Sequence, residues 1–365
     1  MDLRSMTTES RNTRTEGLDR MSALEIVTAM NHEDRGVPIA VGEVLGTVAK
    51  LAESVASALS EGGRLFYVGA GTSGRLGVLD AAECIPTFGV PEGTVVGIVA
   101  GGDEALVRPV EGAEDSEELG RVDLAAHAPE SRDVVVGLAA SGRTPYVRGA
   151  LSLASEVGCV TAVITCNRGS ELGEVVDIPI EVEVGPEVLT GSTRLKAGTA
   201  QKLVLNMVST AAMVLLGKAY QNLMVDVVQS NEKLAARAEG IVMECTGVGR
   251  QEARERIDAA GGSVKVAVVS ILAGCGVEEA RSARRYRTNA RCPGFSPGCS
   301  SRQNGPTKGR RWTTGLWRSG SSSWWAARRT WRRRRTARRG FVFPWLTRTG
   351  LTSRRSRGLR ACSPS

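Results

Sequence analysis

Hydrophobic and polar positions change their spacing along the chain, and the spacing predicts alternating strands and helices. Five short segments are apolar at almost every position and predict strands at residues 64–68, 94–99, 133–138, 159–164 and 178–184. A strand that is apolar on both faces is covered on both sides, as in parallel sheets joined by crossover helices. The pattern therefore predicts an α/β fold in which helices flank a doubly wound, mostly parallel sheet.

Helical spacing dominates on either side of these strands. Residues 18–61 are predicted to be helical, beginning with Ser22-Ala23-Leu24-Glu25, in which the serine caps the helix and the glutamate reaches back. A long helix is predicted over 192–216, and shorter ones over 231–245, 251–260 and 263–272. We predict four parts: N-terminal helices packed on the core (1–61), the sheet domain (62–225), a small helical module (226–280) and a tail (281–365).

Charge separates the tail from the rest of the chain. The formal net charge is +8, but residues 281–365 contain 22 Arg, one Lys and no Asp or Glu, which gives +23 for the tail and −15 for residues 1–280. The tail also holds all six Trp and only one Val, which is too little aliphatic surface for a core. We expect the tail to be disordered.

Two interpretations of the tail stay open. Arginines interleaved with tryptophans can bind phosphate backbones and stack on bases, which would make the tail a nucleic-acid-binding segment. The second interpretation is that the tail is an out-of-frame reading of a GC-rich gene, which would explain why acidic residues disappear abruptly. We favour this second hypothesis, with a frameshift near residues 280–285 that costs the helical module its last part, and nucleic acid is then not expected as a partner.

Composition excludes several classes of protein. No apolar run reaches the roughly 18 residues that span a bilayer, and the first residues lack a secretory signal, so a cytoplasmic protein without a membrane partner is expected. The chain has two His and, before the tail, five Cys without a C-x-x-C pair, which disfavours disulfides, a zinc site and a Ser-His-Asp triad. We predict no metal and no cofactor, and acid/base chemistry is left to carboxylates, Lys or Tyr.

Two turns of similar composition follow the first and third predicted strands. We call Gly69-Ala70-Gly71-Thr72-Ser73-Gly74-Arg75 the first phosphate loop and Ala139-Ala140-Ser141-Gly142-Arg143-Thr144 the second phosphate loop. Backbone N–H groups at a helix start, together with Ser/Thr hydroxyls, bind anions. The first loop has G-x-G-x-x-G spacing, but no acidic residue closes the second strand, as a dinucleotide site would require. The two loops predict a site for a phosphate monoester.

Three further blocks accompany the loops: LDAAECIPTFG (79–89), VEGAEDS (110–116) and GPEVLTGSTRLKAGT (185–199). The paired loops resemble the sugar-isomerase (SIS) domain, which binds phosphosugars. All five segments, in order and spacing, closely resemble the N-acetylmuramic acid 6-phosphate etherases, whose relatives include the glucokinase regulatory proteins. The resemblance covers roughly residues 7–280.

The resemblance implies a reaction and a set of residues. The reaction is cleavage of the lactyl ether of N-acetylmuramic acid 6-phosphate, by elimination and hydration, to N-acetylglucosamine 6-phosphate and D-lactate. Glu83 matches the general acid/base and Glu114 the second catalytic carboxylate. The phosphate is expected on the hydroxyls of Ser73, Ser141 and Thr144 and on the backbone N–H groups of Gly142 and Arg143. Further substrate-binding candidates are Thr72, Glu187, Ser192, Arg194 and Lys196.

Each of these assignments has a plainer alternative. Glu83 could be a surface charge at a helix end, and Glu114 lies in an acidic run of the kind that forms solvated helix faces. Arg194 and Lys196 could pair with Glu187 or other acids. Two other functions would use the same loops: a phosphosugar isomerase, which the 185–199 block disfavours, and a non-catalytic phosphosugar-binding regulator, which the two glutamates disfavour.

Helix geometry adds the expectation of a homodimer. Ser73 and Glu83 are ten residues apart, and on a continuous helix they would lie roughly 15 Å apart, which is longer than one phosphosugar. One subunit cannot easily reach both ends of the substrate with these two residues. We therefore expect an active site shared between two subunits, with Glu83 of one facing Ser73 of the other.

Overall fold

Five parallel strands form the central sheet of the computed structural model, which describes residues 6–287. They follow the spatial order β2-β1-β3-β4-β5, and the predicted doubly wound sheet is confirmed. Gly69, at the end of β1, lies opposite Val99 of β2 and Leu138 of β3, so the carboxyl ends of these strands meet at one edge. The strands are β1 (Leu65–Gly69), β2 (Val95–Val99), β3 (Val134–Leu138), β4 (Val160–Thr165) and β5 (Ile178–Glu181).

Helices cover both faces of the sheet and form the C-terminal module. They are α1 (Ala23–Asp34), α2 (Val37–Glu43), α3 (Leu45–Ser60), α4 (Gly71–Phe88), α5 (Glu104–Val107), α6 (Glu117–Ala125), α7 (Pro145–Val157), α8 (Lys196–Leu215), α9 (Glu232–Thr246), α10 (Arg250–Ala259), α11 (Val264–Ala273) and α12 (Val277–Arg287). The predicted capping box is present at α1, where Ser22 and Glu25 exchange hydrogen bonds. A hairpin of β6 (Ala219–Tyr220) and β7 (Leu223–Met224) follows α8.

Alternate strand residues enter two different cores. Leu65 and Tyr67 pack with α3, α4 and α8 on one face of the sheet, whereas Phe66 and Val68 pack with α6 and α7 on the other. Because both sets are apolar, β1 carries no polar position along its length, which is the signal that predicted a covered sheet. Within residues 6–287, none of the helices combines the length and apolar character that crossing a bilayer requires.

A third hydrophobic cluster joins α9 to α12 and includes Val225 and Val227 from the segment before α9. Its last helix, α12, extends to Arg287, past residue 281, where the sequence places the start of the tail. Alanine and arginine favour helix without an apolar stripe, so loss of periodicity does not end a helix there. The rest of the predicted tail, residues 288–365, lies outside the described residues.

Candidate active site

The sheet order places both phosphate loops at one edge of the sheet. The chain passes from β1 to β2 on one side and then crosses to β3 on the other, so the strand order reverses between β1 and β3. Ligands of open α/β sheets bind outside the carboxyl ends of the strands at such a reversal point. The first loop leaves β1 there and the second leaves β3.

Close backbone contact fixes the first phosphate loop. A Cβ on Gly74 would lie 2.6 Å from the Gly69 carbonyl oxygen, so the start of α4 can rest on the end of β1 only with glycine there. The N-terminus of α4 has no side-chain cap. Ser73 is buried and its Oγ donates to Gln201 Oε1 at 2.8 Å. The half-buried Thr72 lies beside Gly198 of α8.

The second phosphate loop turns tightly at Gly142. Its φ is +75° and a Cβ would lie 2.3 Å from Ser170 Cβ, so only glycine fits. The Gly142 N–H, assigned to the phosphate by resemblance, instead donates to Ala139 O at 2.9 Å. Ser141, Arg143 and Thr144 are half-buried.

Glu114 lies beside the first loop. It is exposed on a 3₁₀ turn, Ala113–Asp115, that follows β2. Together with Gly71 and Arg75 it lines a cleft of about 440 Å³. The fold therefore brings one predicted catalytic carboxylate and one phosphate loop together within a single chain. The acidic run around Glu114 did not indicate this proximity, because such runs are typical of solvated helix faces.

A second cleft, of about 510 Å³, opens beside the second loop. Ser141 and Arg143 line it, together with Arg168 and with Met6 and Thr7 of the N-terminal segment, residues 6–15. Arg168 forms ion pairs with Glu43 and Glu183. The Arg143 guanidinium contacts Met6 Sδ at 3.0 Å and pairs with no carboxylate among residues 6–287, so its charge is available to an anionic ligand.

Glu83 lies at the far end of α4 from the first loop. The helix is continuous from Gly71 to Phe88, as the geometric argument required. Its buried face is held against α8: Ser209 Oγ donates to Asp80 Oδ1 at 3.3 Å, Lys202 Nζ lies 3.8 Å from Asp80 Oδ1, and burial raises the pKa of the Asp80 carboxyl. Glu83 is on the exposed face, so one chain does not bring it to the phosphate loops.

The 185–199 block supports the start of α8. The fully buried Glu187 accepts hydrogen bonds from the backbone N–H groups of Lys196 and Ala197 at 3.0 and 2.9 Å, and burial raises its pKa against the effect of these bonds. Because this carboxylate caps the helix, α8 begins at Lys196 instead of the predicted residue 192. Of the substrate-binding candidates in this block, Ser192 is half-buried and Arg194 exposed, whereas Glu187 has this structural role.

Lys196 belongs to a buried ionic cluster. Its Nζ lies 2.9 Å from Glu33 Oε2, and both side chains are almost fully buried. Glu33 also accepts hydrogen bonds from Arg14 and from Asn12. The Arg14 guanidinium, followed by Lys196 and Asn12, lowers the pKa of Glu33 to about 2 although burial opposes the shift. Lys196 thus anchors α1 and the N-terminal segment. This agrees with the alternative given above, in which Lys196 pairs with an acidic residue of the protein.

The low pKa of Glu33 predicts acid sensitivity. Its folded-state value, about 2, lies below the ordinary 4.5, so its stabilising effect is present above about pH 4.5 and is lost as pH falls toward about 2. In urea titrations we expect Glu33→Gln to lower the free energy of unfolding at neutral pH and to flatten its decline over this interval. Glu53→Gln, at an exposed position of α3, is the control. An unchanged decline in Glu33→Gln would contradict the assignment.

Three residues of this site were not found from the sequence. Gln201 holds Ser73, Asn167 donates to the carbonyl oxygens of Ala140 and Ser141 at 3.1 and 3.3 Å, and Glu33 holds Lys196. Asn167 follows β4 at the same sheet edge as the loops, and this position was the available signal. Gln201 and Glu33 lie inside helical segments, where nothing marks them as buried.

Comparison with known proteins gives matches over most of the chain. The family model for the glucokinase regulatory protein N-terminal SIS domain matches residues 47–155. The chain is 57% identical over 279 residues to a Halalkalibacterium halodurans protein named N-acetylmuramic acid 6-phosphate etherase, covering 76% of this chain and 94% of that protein. A Serratia proteamaculans protein of the same name is 57% identical over 281 residues, covering 77% and 95%.

Among solved structures, the chain is similar to a phosphoheptose isomerase from Francisella tularensis. The sequence identity is 16% and the TM-score is 0.43, over 53% of this chain and all of that one.

Proposed function

The chain belongs to the N-acetylmuramic acid 6-phosphate etherase family, and from this premise we propose that it cleaves the lactyl ether of N-acetylmuramic acid 6-phosphate. The products are N-acetylglucosamine 6-phosphate and D-lactate, and the enzyme is a carbon–oxygen lyase. A phosphorylated sugar does not cross a bilayer unaided, so we also propose that the enzyme works in the cytoplasm, on amino sugars recovered from the cell wall.

The reaction is an elimination followed by a hydration. In the open-chain sugar the C1 aldehyde acidifies the C2 proton, which a carboxylate removes. The C3–O bond then breaks, the C2–C3 double bond forms, and the lactate oxygen leaves with a proton. Water adds its hydroxyl to C3 and a proton to C2. Every step is a proton transfer or a bond change at carbon, so two carboxylates can carry the acid/base work, and the proposal includes no metal or cofactor.

The observation that carries the proposal is the pair of hydroxyl-bearing loops at the strand-order reversal. The second loop contains Ser141, Thr144 and Arg143, whose guanidinium has no carboxylate partner among residues 6–287. The first contains Thr72, Ser73 and the N-terminus of α4, which no side chain caps. A phosphate monoester there would meet helix N–H groups, hydroxyl donors and a cation. Ser73 would give up its hydrogen bond to Gln201 to donate to the phosphate.

We assign the proton transfers to Glu83 and Glu114 and place the complete site between two subunits. Glu114 is near the first loop of its own chain, whereas Glu83 is turned away from it. Glu83 shares the outer face of α4 with Leu79, which is 45% exposed, and Ile85 is 38% exposed nearby. Apolar side chains around an exposed catalytic candidate support a surface that a second copy of the chain covers.

Release of D-lactate tests the proposal. The purified full chain is incubated with N-acetylmuramic acid 6-phosphate, and D-lactate and N-acetylglucosamine 6-phosphate are expected in equal amounts. In ¹⁸O-labelled water the label should enter the sugar at C3 and not the lactate, because the C3–O bond is the one that breaks. A ketose product would indicate an isomerase, and binding without turnover would indicate a regulator. A copy ending at residue 287, the end of α12, is assayed in parallel and measures the contribution of residues 288–365.

A further inference from the structure

The N-terminal segment, residues 6–15, contacts the second phosphate loop through a buried side-chain pair. Thr8 is fully buried and Asn167 is 6% exposed. The backbone N–H of Thr8 donates to Asn167 Oδ1 at 3.3 Å, and Asn167 Nδ2 donates to Thr8 Oγ1 at 3.0 Å. The two residues are 159 positions apart, and each satisfies polar atoms of the other, so the amide plane of Asn167 is fixed.

Asn167 also holds the second phosphate loop in place. The same Nδ2 donates to Ala140 O at 3.1 Å and to Ser141 O at 3.3 Å. These carbonyls flank the Ser141 backbone and precede the tight turn at Gly142. If the amide rotated, both carbonyl oxygens would lose a donor: Ala140 O would keep only its bond from the Cys166 backbone N–H, and Ser141 O would lose its bond from Asn167. The peptide that carries the Ser141 side chain would then be held less firmly.

Other contacts anchor the segment to the opposite side of the site. Thr15 Oγ1 donates to Val188 O at 2.9 Å, and Asn12 Nδ2 donates to Pro186 O at 3.3 Å, both in the block that caps α8. At its other end, Met6 and Thr7 line the cleft that contains Ser141 and Arg143. The segment therefore spans from the second phosphate loop to the start of α8.

We propose that Thr8 is a positioning residue for substrate binding: through Asn167 it holds the second phosphate loop in the geometry that receives the phosphate, and Met6 and Thr7 form a wall of the substrate cleft. The proposal rests on the proposed function for the identity of the ligand. A preformed loop lowers the cost of ordering it when the phosphate binds, so the effect is on binding and not on the chemical step.

Three variants test the role of the Thr8 hydroxyl. Thr8→Val removes it with little change of shape, Thr8→Ser keeps it, and Thr13→Val is the matched control at an exposed position of the same segment. We expect Thr8→Val to raise KM for N-acetylmuramic acid 6-phosphate about five- to tenfold, with kcat within about twofold of the wild type. This rise in KM corresponds to the loss of one buried hydrogen bond. Thr8→Ser should restore most of the affinity and Thr13→Val should match the wild type.

Calorimetric binding of N-acetylglucosamine 6-phosphate and melting temperature are measured on the same proteins. A Thr8→Val protein whose melting temperature falls but whose KM and product Kd equal those of Thr13→Val overturns the proposal, since Thr8 is then only structural. If the wild type binds the sugar phosphate but releases no lactate, the proposed reaction fails while the Kd values still decide the role of Thr8. If the wild type binds neither compound, both proposals fail.

Discussion

Glu83→Gln is expected to reduce kcat for D-lactate release by about 10²- to 10⁴-fold, the usual contribution of one acid/base group. The substitution removes a proton acceptor and keeps the size of the side chain. Because Glu83 is assigned to proton transfer and not to holding the phosphate, KM should change little. The rate is measured at saturating N-acetylmuramic acid 6-phosphate.

Glu92→Gln is the matched control for this variant, since Glu92 is exposed on the connection between α4 and β2. The exposed position of Glu83 also makes the substitution harmless to the fold, and an unchanged melting temperature should confirm this. If Glu83→Gln kept the turnover of Glu92→Gln, Glu83 would be an ordinary surface charge, and Glu114 would become the leading candidate for the base.

Mixing two inactive proteins is expected to recover activity. Ser73→Ala lacks the first-loop hydroxyl and Glu83→Gln lacks the carboxylate at the other end of α4. In a mixed dimer with shared sites, one site receives both intact residues and the other receives neither. Random exchange makes about half of the dimers mixed, so about a quarter of the wild-type activity is expected after subunit exchange.

The recovery depends on which residues share a site. If Ser73 and Glu83 of the same chain acted together, every site would carry one defect and mixing would restore nothing. Sedimentation at the assay concentration should show a dimer. A monomer that is fully active would also contradict the shared site, because ten residues of α4, roughly 15 Å, separate Ser73 from Glu83 within one chain.

The local pattern of the sequence was sufficient for the elements of the fold. Mostly apolar runs predicted the five strands, and β1 shows why, because Phe66 and Tyr67 enter different cores and both must be apolar. The capping box at Ser22 could also be predicted from the sequence, since its hydrogen bonds connect residues three apart. The composition of the two loops predicted a phosphate site for the same reason: turn geometry and anion binding depend on residues adjacent in the chain.

What the sequence by itself determined is thus the set of strands, helices and loops, and by resemblance the family and its reaction. Only the tertiary structure decided which of these residues meet. The order β2-β1-β3 brings the two loops to one edge of the sheet, Glu33 holds Lys196 across 163 positions, and Asn167 joins Thr8 to the second loop. Such pairs leave no mark in local periodicity, because a polar residue in a helix or loop has the same sequence pattern whether its partner is water or a distant buried group. The difference arises on folding, when water is removed and the distant group must supply the hydrogen bonds that water made.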